Sequence, residues 1–472
     1  MTTSSFDVRL DSVNTLTEEL SLCEEHIAVR SGSLLSLNAD VVWLRHSCTQ
    51  IGCVYSLPVE SFIHANLDEH MNNGMPTALI DTTPARSSRP RTGKVLCAAI
   101  AASLVLASAG AGAITRDQAK RIHDRLAGVP PSDSVLTAMA GMSADAAAFE
   151  AMNNPNFYNV TLKNMATPWT NRAQTVFAPL NDYTATVIGM VRDDVDFSTL
   201  LSADLVYVAK PGTPGVTATY SPANNDMYDQ LESSGADLKA NLQSSAQSAV
   251  NGLPAAATAG VVTTRAAAEA FFIAGTNRAM FRFTLLNHLC RDLEAVHDVT
   301  RPPDRIRQDV SRSPGGDSRL FLNNCIGCHS GMDPLAQAYA YYNFDETAGR
   351  IVYTAGQVQP KYLINSDNFK AGYVTPDDHW DNRWTAGPNQ ILGWDSASTH
   401  TGSGAKSMGQ ELAKSDAFAR CQVEKVFKNV CYRVPTDATD RSKVNSMISS
   451  FKSGGYKLKQ VFADAAVYCM GS

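Results

Sequence analysis

The chain of 472 residues contains the Cys-x-x-Cys spacing only once, at Cys325 and Cys328. A structural zinc site draws on a second cysteine pair or on a histidine pair at metal spacing, and neither occurs. There is no G-x-S-x-G elbow, no P-loop and no H-E-x-x-H, so the short signatures of serine hydrolases, P-loop nucleotidases and zincin proteases are all missing. Charge is sparse: Asp, Glu, Lys and Arg make up 18% of residues, and the net charge is −6. Without a basic block, nothing points to nucleic acid or to an anionic membrane surface as a partner. No repeat with a period of about 20–50 residues is visible, which excludes solenoids and propellers. The hydrophobic content of 44% is that of a globular protein.

Long apolar runs are also scarce, and the clearest one follows a basic stretch. Arg86, Arg89, Arg91 and Lys94 precede an Ala-, Leu- and Val-rich run over 95–107, which ends in Ala109-Gly110-Ala111-Gly112-Ala113. Basic, apolar and small-residue regions in that order read as a secretory signal peptide over 91–113, with the cut expected between Ala113 and Ile114. The run barely reaches the ~20 apolar residues of a spanning helix. The mature form is therefore expected to have no membrane span and to reside in the periplasm or at the cell surface. Residues 1–90 form an N-terminal extension ahead of that signal. Translation beginning at Met71 or Met75 would make them a start-site artefact. They hold Cys23, Cys48 and Cys53 but no motif.

What the chain does have is Cys325-Ile326-Gly327-Cys328-His329. This Cys-x-x-Cys-His spacing is the one used to attach c-type haem. Two thiols can each form a thioether to a haem vinyl group, and the histidine that follows is placed to ligate the iron. A thioredoxin-like pair would follow a βαβ pattern, whereas Ser313-Pro314-Gly315-Gly316-Asp317 reads as a loop. Export and covalent haem go together, so the expected cofactor is one covalent haem c on Cys325, Cys328 and His329.

The remaining cysteines after the signal are Cys290, Cys421, Cys431 and Cys469. Their even number in an oxidising compartment predicts two disulfides, with three pairings open. If Cys421 and Cys431 share one unbroken helix they stand ~15 Å apart, beyond disulfide reach, which weighs against that pair.

The pattern of the mature chain is mainly α: a helical domain over 114–300 followed by a mostly helical haem domain over 301–472 with a long irregular insert. Thr115-Arg116-Asp117-Gln118 fits a capping box ahead of Ala119, Ile122 and Leu126, and Gly128-Val129-Pro130-Pro131 stops that helix. Residues 135–152 read as a second helix, 159–207 as mostly helical, 211–226 as a loop and 238–250 as weakly helical. A strong helical block over 266–296 carries a break near Gly275. A Pro- and Gly-rich linker spans 301–318. Asp333-Pro334 reads as an N-cap with proline at the first helical position, leading into a helix over 335–344. Residues 350–404 look irregular, with short strands in 350–375. Residues 407–431 are amphipathic: Ala419, Val423, Val426, Phe427 and Val430 share one face, and Arg420, Glu424, Lys425 and Lys428 the other. Two further helices follow, over 442–451 and 457–468.

The stretch 325–334 with Met332-Asp333-Pro334, followed by Asn343-Phe344-Asp345, resembles the haem segment of the planctomycete-type surface cytochromes. The likeness extends to Val195-Asp196-Phe197-Ser198-Thr199-Leu200-Leu201-Ser202-Ala203-Asp204, to 260–264, to 285–290 and to Ser415-Asp416-Ala417-Phe418-Ala419-Arg420-Cys421. It departs at Arg291-Asp292-Leu293, where that family has a proline run, and in a longer insert at about 350–404. The resemblance implies an exported mono-haem cytochrome and supplies no substrate.

The iron's sixth ligand is open between Met408, His400, His379 and none. Met408 leads, because it starts an amphipathic helix after an irregular region able to wrap a haem; methionine there would raise the reduction potential. Trp380, Arg383 and Trp384 offer N–H donors for haem propionates. The expected function is electron transfer to a redox partner protein rather than catalysis. A haem oxygenase or peroxidase with an open iron site, and a haem-stapled scaffold module of a surface complex, are the alternatives.

Overall fold

The computed structural model describes residues 112–273, 276–305, 318–362 and 373–471. The N-terminal extension and nearly all of the expected signal peptide lie outside them.

The described chain is mainly α, with short two-stranded ribbons. Helices of seven or more residues are α1 (Arg116–Ala127), α2 (Asp133–Ala140), α3 (Ala144–Ala151), α4 (Asp182–Arg192), α5 (Asp226–Ser233), α6 (Arg265–Phe271), α7 (Arg278–Leu289), α8 (Ile326–Ala336), α9 (Gly404–Ala413), α10 (Asp416–Cys431), α11 (Ala438–Ser453) and α12 (Leu458–Cys469). Antiparallel ribbons pair β1 (Val206–Ala209) with β2 (Leu242–Ser245), β3 (Tyr342–Asp345) with β4 (Arg350–Tyr353), and β5 (His379–Asp381) with β6 (Thr401–Ser403).

Local rules place α1 well. Thr115 caps Gln118, Gln118 answers the Thr115 amide, and Gly128 closes the helix in the left-handed region at φ 70°. The buried face of α10 is the expected one, with Val423, Val426, Phe427 and Val430 all sealed from solvent. Lys425 leaves the expected polar face: its ammonium lies 3.9 Å from the Trp169 ring centroid and also donates to the Asn287 carbonyl at the end of α7.

Several expected helices are divided by caps. The stretch 135–152 breaks at Gly141, and Ser143 caps α3. The stretch 407–431 breaks at Lys414, and Ser415 caps α10. Within 238–250 lies the strand β2, held by pairing with β1. The helix expected over 335–344 is absent. A 3-10 turn at Gln337–Tyr339 leads into β3, which pairs with β4 so that Asp345 faces Arg350 across the strands. The intervening turn is fixed by Asp345, whose carboxylate accepts the Thr347 and Ala348 amides at 3.0 Å each.

One hydrophobic core runs through residues on both sides of position 300. The first and last helices close it: α1 packs against α12, and Arg121 donates to the Met470 carbonyl at 2.8 Å. Helix α10 lies on α7, α11 and α12. Cys421 and Cys431 both sit on α10 and do not pair with each other. Cys421 bonds Cys290 after the end of α7, and Cys431 bonds Cys469 at the end of α12. Among the described residues no helix is long and apolar enough to cross a membrane.

The two bridges close loops of unequal length, with separations of 131 and 38 residues. Chain entropy makes the longer one worth about 1 kcal/mol more, within a range of about 2–5 kcal/mol for losing either. Denaturant unfolding of Cys290→Ser/Cys421→Ser and of Cys431→Ser/Cys469→Ser should show that order.

Candidate functional site

Helix α8 begins directly after Cys325, and its first turn holds the pentapeptide. In a helix, positions i, i+3 and i+4 share one face, so Cys325, Cys328 and His329 project together. The same spacing places Asp333 one turn beyond His329. Proline at 334 therefore stands inside the helix rather than at its start, and Asp333 is not an N-cap. Its carboxylate has other partners.

Those partners define the site. Arg278, the first residue of α7, grips Asp333 with two bonds: Nε to Oδ1 at 2.8 Å and Nη2 to Oδ2 at 3.0 Å. Both Asp333 oxygens also lie 3.2 Å from His329 Nδ1. All three side chains are buried, Asp333 to 1% exposure and His329 to 6%. Burial alone would raise the Asp333 carboxyl, but the Arg278 guanidinium and the His329 imidazole outweigh it and hold it well below the usual carboxylate range. The Phe321 ring packs on the imidazole with centroids 5.2 Å apart. His329 Nε2 has no hydrogen-bond partner among the described residues.

Close packing and hydrogen bonds also hold α8 at Gly327, Ser330 and Gly331. The Asp298 amide donates to the Gly327 carbonyl at 2.8 Å, and Ser330 Oγ donates to the Asp298 carbonyl at 2.9 Å. A Cβ added at Gly327 would lie 2.1 Å from His297 Nε2, and one added at Gly331 would lie 2.0 Å from Trp384 Nε1. Both glycines are required by these close ring contacts.

The two cysteines differ. Cys325 is buried and its sulfur is engaged in a disulfide. Cys328 carries a free, half-buried thiol whose sulfur lies 3.5 Å from the Leu293 carbonyl. Burial pushes the Cys328 thiol up to about 11, with Glu294 and Asp292 adding to the rise. A redox-active or nucleophilic cysteine needs the opposite shift, so this thiol is poorly suited to disulfide exchange.

The expected sixth ligands lie on other elements. Met408 is wholly buried on α9, which packs against the turn Phe197–Thr199, the turn Gln337–Tyr339, and β5 and β6. The turn of α8 that carries His329 lies instead against Arg278, Phe321 and the 293–298 segment. His400 Nδ1 is 2.8 Å from the buried Glu411 carboxylate, which also accepts from Asn382 Nδ2 at 2.8 Å. His379 Nε2 is 3.1 Å from Thr401 Oγ1. Of the three expected propionate donors, Trp380 Nε1 donates to Ser407 Oγ at 2.8 Å and Arg383 to the Pro302 carbonyl at 2.6 Å. Among the described residues Trp384 Nε1 has no hydrogen-bond partner, but its ring is fully buried against Gly331 and Phe281.

Sequence reading missed Arg278 and His297. Neither carries a local signal, since both reach α8 only through tertiary packing. Among the described residues no three His, Cys, Asp or Glu side chains gather as a metal-ligating group. No family model, no curated protein and no solved structure matches the chain.

The raised thiol gives a direct test. In the chain without haem, alkylation of Cys328 followed by peptide mapping should be slow near pH ~7.5. Its rate should then climb roughly tenfold per pH unit toward the thiol's midpoint. That midpoint is expected at about 11. A plateau by pH ~9, as for an ordinary cysteine near ~8.5, would contradict the burial argument.

Proposed function

We propose that this chain is an exported mono-haem c-type cytochrome that passes electrons to a partner protein at the periplasm or cell surface. The observation that carries the reading is the first turn of α8. Helical spacing puts Cys325, Cys328 and His329 on one face, Asp333 lies 3.2 Å from His329 Nδ1, and among the described residues Nε2 has no hydrogen-bond partner. The donor set suits haem c: two sulfurs at thioether spacing and a buried imidazole whose second nitrogen is secured by a carboxylate. Bound there, haem would supply a one-electron iron centre. The protein's own part is to hold the imidazole, exclude water around it and fix the edge of the ring through two sulfurs. A thioether at Cys325 requires that sulfur as a thiol, so its disulfide and haem attachment are alternative states of one atom.

Met408 is the first candidate for the sixth position. Its burial also suits plain core packing, and one variant separates the two roles. In protein matured by a host that attaches haem c, the reduced spectrum is expected to be low-spin and indifferent to CO. Met408→Ala should abolish the weak red Met-to-iron band and open the iron to CO. A variant that merely loses stability while keeping that band would return Met408 to the core. Ready CO binding by the unaltered protein would instead favour an open-site haem enzyme.

A further inference from the structure

We propose that Asp333, clamped by Arg278, is a positioning residue that fixes the His329 proton on Nδ1 and strengthens Nε2 as a donor to iron. This inference rests on the haem reading above.

The argument begins with the chemistry of the acceptor. An ionised carboxylate only accepts, so a neutral imidazole facing it must place its single proton on Nδ1 and leave Nε2 bare. Asp333 offers both oxygens at 3.2 Å. It cannot turn away, because Arg278 grips the same two oxygens from α7. At 1% exposure, water does not compete for it. The spacing of four residues on α8 keeps ring and carboxylate on one helix face whatever the surrounding loops do.

A backbone carbonyl in place of Asp333 would select the same tautomer but would carry no charge. The carboxylate adds anionic character to the imidazole, and this favours the more positively charged oxidised iron. Arg278 offsets part of that charge and sets how strong the effect is. The same group that orients the ligand therefore also biases the redox equilibrium toward the oxidised state.

Two measurements test this on the full exported chain. In the haem-loaded protein, Asp333→Asn should raise the reduction potential. The expected size is a tenfold change in the oxidised-to-reduced ratio, about 59 mV for a one-electron couple. The double variant Arg278→Gln/Asp333→Asn removes both charges together and should keep the rise, which an effect of net charge alone would not. An unchanged potential in the folded, loaded Asp333→Asn protein overturns the proposal. The second measurement needs no haem and covers the case in which Asp333→Asn fails to fold. Nitrogen NMR of the unloaded protein should show the neutral His329 ring protonated on Nδ1. A ring protonated on Nε2 overturns the proposal. Absence of covalent haem from the unaltered protein would count against the function proposed above, while the tautomer would still decide the role of Asp333.

Discussion

A buried carboxylate with two cationic or proton-bearing partners is the constraint around which the candidate site is arranged. Asp333 is sealed from water, and an unpaired charge there would be strongly unfavourable. Arg278 is thus as much a part of the site as His329, although it belongs to a different helix. The pair joins the start of α7 to the middle of α8. Because Cys290, directly after α7, is bridged to α10, the helix that grips Asp333 is itself tied to the main core by a disulfide. Breaking a buried pair by removing one partner typically costs about 3–5 kcal/mol. The linkage sign follows from the depressed carboxyl of Asp333. Its contribution is present above the ordinary Asp range and is lost as acid protonates the group.

Packing around α8 answers a second need. Two glycines, Gly327 and Gly331, let the His297 and Trp384 rings rest directly on the helix backbone. Ser330 and the Gly327 carbonyl are tied to the 298 segment by hydrogen bonds. The turn carrying both cysteines and the imidazole is in this way packed and hydrogen-bonded on the side facing the 297–298 segment. The high-lying thiol of Cys328 belongs to the same picture: a buried, acid-flanked sulfur is poorly suited to thiol–disulfide exchange.

The parts of this fold legible in the sequence are those decided within one or two helical turns. The capping box of Thr115 and Gln118, and the apolar face of α10, need only neighbours three or four residues away. The motif at 325–329 was legible for the same reason, as was the argument that Cys421 and Cys431 cannot bridge within one helix. Asp333 was misread because Asp-Pro is a strong local cap signal, and here a tertiary partner 55 residues away in sequence overrides it. Pro334 is tolerated inside α8 at the cost of one helical hydrogen bond. Tyr342-Asn343-Phe344 reads as the end of a helix because the strand gains its ladder only from Arg350–Tyr353. Short ribbons of this kind depend on pairing, not on intrinsic preference. Lys425 was assigned to solvent because charge on a helix face usually is, whereas Trp169 and an exposed carbonyl offered it a better place.

The central claim is that iron porphyrin is bonded to this polypeptide through two particular sulfurs. The most direct measurement is the mass of the proteolytic fragment that contains both Cys325 and Cys328. The protein should be produced in a host able to attach haem c and reduced before digestion, so that no disulfide masks either thiol. The account predicts a fragment heavier by one haem, with the porphyrin retained after denaturation. A fragment carrying two free thiols and no added mass would contradict it.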